Sequence, residues 1–203
     1  YIQGLAGEDP VYRRTIPTLK HFCANNNEKN RGSSSSNITP RTLHEYYYRA
    51  FEASIVRGGA DSMMTAYNEL AGVPACMNPD LQHVVKDQWK LGFVVTDGAD
   101  FSQNVLAHRS HATHGEALAA CLKSGCDIMT DGEEMVAAAA RDALKRGLIT
   151  EAEIDRAVGN ALLGRFRLGE FDGDACPYCT EPAETDTPVH RAVNQCAAME
   201  QMC

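Results

Sequence analysis

The sequence predicts an α/β fold in which parallel strands carry helices on their outer side. Three observations predict it. Strand-like, loop and helix-like pieces follow one another four times along 203 residues, the rhythm of a parallel sheet with crossover helices. The run Phe93-Val94-Val95 is wholly apolar, as strands buried on both faces are. That run leads straight into Thr96-Asp97-Gly98. A carboxylate is thereby set at the carboxyl end of a strand, where α/β barrels and open α/β sheets keep their chemistry. Four such units make half of an eight-stranded barrel or a small doubly wound sheet.

The elements follow in order. Thr18 to Asn25 reads as a short strand that runs into a polar loop, Asn25 to Asn37, rich in Asn, Ser and Gly. A loop of that length and polarity is expected to be a binding loop or a mobile one. Thr39-Pro40 starts a helix, with threonine as N-cap and proline at the first helical position. Its apolar stripe is Leu43, Tyr46, Tyr47, Ala50, Phe51 and Ile55, and Gly58-Gly59 ends it. Ser62 to Asn68 is the second strand, and Asn78-Pro79-Asp80 opens a helix that reaches Lys90. After the Phe93 to Asp97 strand comes a segment with Asp100, Gln103, Asn104, His108, His111 and His114, read as loop. Its histidines lack a companion carboxylate pattern and are expected on the surface rather than on a metal.

Gly115 to Lys123 is the next helix, stopped by Gly125, and Cys126 to Thr130 is the fourth strand. Asp127 at its start reads as structural, and Asp131 at its end as a helix N-cap. Glu133 to Arg146 is alanine-rich and helical. Thr150-Glu151-Ala152-Glu153 is a capping box that opens a helix to about Leu168. Gly169 to Pro188 has the composition of a linker, and Val189 to Met202 is a last amphipathic helix.

Composition narrows the function. With 44% hydrophobic and 23% charged residues the chain suits a soluble globular domain with one sizeable core. A formal net charge of -8 argues against nucleic acid and anionic membrane as partners. No apolar run approaches the ~20 residues of a membrane span. The eight cysteines are too sparse for a small disulfide scaffold. Cys121 and Cys126 read as core residues. The Cys176-Pro177-Tyr178-Cys179 motif lacks both a βαβ context and a second pair of zinc ligands, so it reads as loop. No GxGxxG or P-loop follows a strand, which leaves no nucleotide site to expect. The chain starts at Tyr1 without a basic-then-apolar leader, so its cellular location is not legible.

Three strand ends carry unusual chemistry: Lys20-His21, Tyr67-Asn68 and Asp97-Gly98. If the strands are parallel, all three point to one rim. Cations and ring N–H donors grip sugar hydroxyls, and a carboxylate can attack a sugar carbon. Taken singly, Lys20 could be an ion-pair partner, His21 a satisfied core histidine, Tyr67 a buried aromatic and Asp97 a cap of the next helix. Asp100 competes with Asp97 but stands past the strand.

Several segments together resemble glycoside hydrolase family 3. They are Leu19-Lys20-His21-Phe22, Met64-Thr65-Ala66-Tyr67-Asn68 with Ala71-Gly72-Val73-Pro74, and Gly92 to Gly98. Gly125-Cys126-Asp127-Ile128-Met129 and Arg165 to Phe171 support the same match. The resemblance implies a retaining β-glycosidase of the β-glucosidase and β-xylosidase branch. In it Asp97 is the nucleophile, Lys20 and His21 bind hydroxyls in the cleavage subsite, and Tyr67 lines that subsite. Lys20 is expected to keep Asp97 ionised by charge attraction. No metal or organic cofactor is expected, and the substrate is an oligosaccharide or an aryl or alkyl β-glycoside.

The fold so implied is the C-terminal half of a (β/α)8 TIM-type barrel over residues 1–171, with residues 172–203 a linker and the start of a following domain. In this branch the general acid comes from that later domain, so the fragment alone is expected to be inactive. The expected Tyr-Asn-x-x-Asn-Gly reads Tyr67-Asn68-Glu69-Leu70-Ala71-Gly72 here, and Thr96 stands where serine is commoner. Two alternatives remain open at this stage. One is a degenerate homologue that holds sugars without cleaving them, and the other an unrelated barrel enzyme using Asp97 as general base.

Overall fold

The computed structural model describes residues 1–178 and 185–202. Its strands are β1 (Thr18–Phe22), β2 (Ser35–Ser36), β3 (Ser62–Thr65), β4 (Glu69–Leu70), β5 (Val73–Pro74) and β6 (Phe93–Val95). The main sheet has the order β1-β3-β6, and both of its pairings are parallel. Met63 and Val94 at its centre are fully buried, and Ser62, Thr65 and Thr96 are buried beside them. Helices cover the sheet, so the α/β architecture with parallel strands and outer helices is the one read from the sequence.

The expected fourth strand is reduced to a single parallel bridge, Val95 to Ile128. Side chains have taken the places of ladder bonds there. The Val94 amide, which also faces this segment, donates to Asp127 Oδ2 at 2.8 Å. Further along, Thr130 N donates to Thr96 Oγ1 at 2.9 Å and Thr130 Oγ1 donates to Thr96 O at 2.7 Å. Asp127 is structural: Lys86 Nζ bonds both of its oxygens at 2.7 and 2.6 Å, and Asn160 Nδ2 donates to it at 3.0 Å.

Part of the polar 25–37 loop is ordered by backbone pairing. β2 pairs with β4 in parallel, and β4 with β5 in antiparallel fashion, forming a second small sheet. Ser36 Oγ donates to Ala24 O at 3.0 Å, and Gly72 N donates to Ser35 Oγ at 2.8 Å. Serine is not among the β-branched and aromatic residues that favour strands, so nothing in their type announces this sheet.

Residues 40–57 are helical as expected, and Thr39 Oγ1 accepts from Thr42 N at 3.2 Å above Pro40. The winding alternates, with π turns at Leu43–Tyr47 and Ala53–Arg57 around an α segment, Tyr48–Glu52. A π turn bonds i to i+5 and so rotates the face that follows it. The buried stripe is therefore displaced from the expected one. Tyr48 is fully buried, whereas Tyr46 is exposed. Tyr48 stacks on Phe22 at 5.1 Å, meets Trp89 edge-on at 5.7 Å and donates to Asp80 Oδ2 at 2.8 Å.

Asp100–Leu106 is a helix, not the loop read from the sequence. It has no local cap, because Ala99 before it is left-handed with φ 61°. Instead the carboxylate of Asp131 accepts from Ser102 N at 3.1 Å. Asp131 thus caps a helix 29 residues earlier, while Gly132 fills the N-cap of Glu133–Lys145. The His114–Lys123 and Glu151–Arg167 helices both open on capping boxes, Thr113 with Glu116 and Thr150 with Glu153. The Pro188–Glu200 helix buries none of its residues. Cys176 is buried with its thiol directed at Leu168 O; Cys179, the other half of the CxxC, lies outside the described residues.

At the pole away from the strand ends, Asp61 gathers three segments. Its Oδ2 is 2.8 Å from Arg13 Nε and its Oδ1 is 3.0 Å from Arg167 Nη1. Its carbonyl accepts from Gly92 N at 3.1 Å, and Arg13 N donates to Arg167 O.

Candidate active site

Register sets the level of the site. Phe22 lies beside Thr65 and Met64 beside Val95. The residues just past these positions leave the sheet on one rim, as parallel strands require. Asp97 and His21 meet there: His21 Nε2 lies 3.1 Å from Asp97 Oδ2. Gly98 N donates to the other oxygen, Asp97 Oδ1, at 2.7 Å. Both side chains keep solvent access, with 27% of His21 and 20% of Asp97 exposed, so a ligand can reach them.

Tyr67 joins the pair from β3. Its hydroxyl donates to Gly98 O at 2.6 Å. Burial first, and then the Asp97 charge, push its phenol above the ordinary range, so the group stays a hydrogen-bond donor. Asn68 behind it is buried and donates to Cys23 O at 3.2 Å, Ser36 Oγ at 3.2 Å and Glu69 O at 3.1 Å. This asparagine ties the main sheet to the small one.

Lys20 is placed differently from the expectation. It is exposed on β1, and among the described residues no ion pair joins it to Asp97. It lines a groove with His21, Asn25, Asn26 and Tyr47. The group held against Asp97 is the imidazole of His21, and Lys20 is left available to a ligand.

Two residues escaped the sequence reading. Arg31, from the polar loop, lays its guanidinium 4.7 Å from the ring centre of Tyr67, a cation–π contact. Its position depends on the β2 pairing, which left no mark in the residue types. His108 was read as a surface residue and is the reverse. Its side chain is 1% exposed, with Nδ1 3.2 Å from Glu69 Oε1 and Nε2 2.8 Å from Tyr67 O. A helix, not a loop, carries the chain up to it, and that is why the surface reading failed. Among the described residues no three His, Cys, Asp or Glu side chains gather as metal ligands.

Asp100 is 1% exposed and accepts from Thr65 Oγ1 at 2.8 Å. Burial pushes its carboxyl up to about 7, and the charges of Asp131 and Asp97 act in the same direction. It is therefore unsuited to attack a substrate from solvent, and Asp97 alone of the two faces the rim.

Comparison with known proteins now decides the family. Residues 1–162 match the model of the Glycosyl hydrolase family 3 N terminal domain. The chain belongs to glycoside hydrolase family 3. It is 32% identical over 201 residues to Beta-D-xylosidase 1 of Arabidopsis thaliana, covering 94% of this chain and 26% of that one. It is 34% identical over 185 residues to Beta-xylosidase/alpha-L-arabinofuranosidase 2 of Medicago sativa subsp. varia, covering 86% and 23%. Among solved structures, a family 3 exo-β-xylosidase in complex with a xylobiose aziridine activity-based probe superposes with a TM-score of 0.80 at 27% identity, over 86% of this chain and 23% of that chain. A β-glucosidase involved in saponin metabolism from intestinal bacteria gives a TM-score of 0.78 at 25% identity, over 95% and 26%. The chain spans about a quarter of the length of the curated relatives it matches.

Proposed function

We propose that this family 3 chain carries the nucleophile of a retaining β-glycosidase acting on terminal β-D-xylosyl or β-D-glucosyl residues. The observation that supports it is the meeting of Asp97 with His21 at 3.1 Å on a rim that Tyr67 also reaches. Asp97 attacks the anomeric carbon, the bond to the leaving oxygen breaks, and a glycosyl ester forms on the carboxylate. Water then cleaves that ester and releases the sugar with its anomeric configuration retained. His21 and Lys20 grip ring hydroxyls, bonds that tighten as the sugar becomes oxocarbenium-like. Tyr67, pressed by Arg31, forms the wall of the subsite. The names of the relatives, β-xylosidases and β-glucosidases, supply the choice of sugars.

Retaining hydrolysis also needs a general acid about 5–5.5 Å from the nucleophile. Asp100 is buried and Asp131 is engaged with Ser102, so we assign that role to neither. On this reading residues 1–171 form the barrel portion, residues 172–203 lead into a following domain, and the 203 residues alone turn over slowly or not at all.

A 2-deoxy-2-fluoro glycoside with a dinitrophenolate leaving group tests the nucleophile directly, because that leaving group needs no proton. Mass spectrometry is expected to find the fluoro-sugar on the peptide that holds Asp97, and Asp97→Asn is expected to abolish it. Label on another residue would overturn the assignment. With the full-length protein, xylose or glucose binding with no label at all would mark a sugar-holding relative that has lost catalysis.

A further inference from the structure

Behind the nucleophile lies a second carboxyl that the reaction as described does not use. Asp100 is fully buried, and two hydrogen bonds tie it to the turn that carries Asp97. Its backbone N–H donates to Asp97 O at 3.1 Å. Its side chain accepts from Thr65 Oγ1 at 2.8 Å, which couples the turn after β6 to the end of β3. Its neighbour Asp131 has one oxygen, Oδ2, buried without a donor, while the other accepts from Ser102 N. Burial first, and then the charges of Asp131 and Asp97, disfavour the ionised form of Asp100.

Resting on the reading of Asp97 as nucleophile, we propose that Asp100 is a positioning residue for Asp97. As a neutral acid it pins the turn that carries the nucleophile to β3, and on losing its proton it sets a second negative charge behind that nucleophile. Burial places the proton loss at about 7. The titratable groups that face Asp100 are Asp97 at the β6 end, Asp131 beyond Ile128, Tyr67 after β3, Cys76, and Cys121 and Cys126 across the core. All are acids, and among the described residues no ion pair reaches Asp100. A loss of its proton is therefore felt by Asp97, whose one basic neighbour among the described ion pairs is the His21 imidazole, 3.1 Å away on the side open to solvent.

The test is a carbon-13 NMR titration of the side-chain carboxyls in the whole 203-residue chain carrying His21→Asn, so that no imidazole lies against Asp97; it needs no turnover. The Asp97 carboxyl signal is expected to show an inflection near pH 7 that mirrors the titration of Asp100 itself. Asp100→Asn should remove that inflection. Thr65→Val leaves the acid in place but takes away its donor, so the inflection should move to higher pH; this second variant covers the case in which Asp100→Asn does not fold. An Asp97 signal flat near pH 7 in the His21→Asn chain, or an inflection that survives when Asp100→Asn is added to it, would overturn the proposal. A fluoro-sugar that labels a residue other than Asp97 in the full-length protein, while the inflection is present, would sink the nucleophile and leave the coupling standing.

Discussion

Asp97 and Asp100 are three residues apart and sit in different media. One is wetted at the rim and braced by the Gly98 amide; the other is sealed under it and bonded to Thr65. The sealed group makes stability depend on pH. Its folded value, about 7, lies above its ordinary value of 3.8. The folded chain therefore holds a proton that the unfolded chain has released between those values. Its contribution is fully present below about pH 4 and is lost progressively as pH rises to about 7. Urea titrations of the chain and of Asp100→Asn across this window should show the difference in unfolding free energy change with pH and then level off above it. Lys86 offers a contrast. Its side chain is 8% exposed against 0% for Asp127, so Lys86→Met should strand a buried carboxylate and cost about 3 kcal/mol in the same assay. If the chain turns over an activated glycoside, His21→Ala should lower kcat/KM by about 10²-fold, as loss of one donor to the reacting region does.

Elements were legible where their signals were local. Thr39 before Pro40, and the Thr113 and Thr150 capping boxes, announce helices from adjacent residues, and the structure has them. The Asp100–Leu106 helix is capped by Asp131 from far along the chain, and β2 is held by partners more than thirty residues away. Neither leaves a trace in a window of neighbours. Glycines in the Glu151–Arg167 helix give a test of context at this scale. A Cβ on Gly159 meets nothing within 4 Å, while one on Gly164 would sit 2.9 Å from Phe93 Cε1 and 3.1 Å from Ile16 Cδ1. Gly159→Ala should therefore raise stability by about 1 kcal/mol through helix propensity. Gly164→Ala should lower it by about 1–3 kcal/mol through overpacking against β6. Thermal melts of the two variants should move in opposite directions.

At the scale of the whole molecule, the reading of three strand ends as one rim needed only that the strands be parallel, and they are. What pattern alone missed was the set of groups brought by long-range pairing: Arg31 over Tyr67, and His108 under it. Neither position has a spacing or a neighbour that marks it. Lys20 was expected to attract Asp97, but its side chain faces the groove instead, a matter of direction that residue type does not encode. No helix among the described residues is long and apolar enough to cross a membrane.

Asp61 adds a feature at the same scale. Asp61→Asn would weaken its bonds to Arg13 and Arg167 at once, with an expected cost of about 2 kcal/mol by urea titration. Arg13 and Arg167 also touch through their own backbones. The two extremities of the α/β portion are therefore neighbours in space. Covalent order is then partly interchangeable: a variant spliced from 167 to 13 and opened in the 25–37 loop could thread the same shape, and a single peptide cut in that loop would leave two pieces still clasped at the opposite pole.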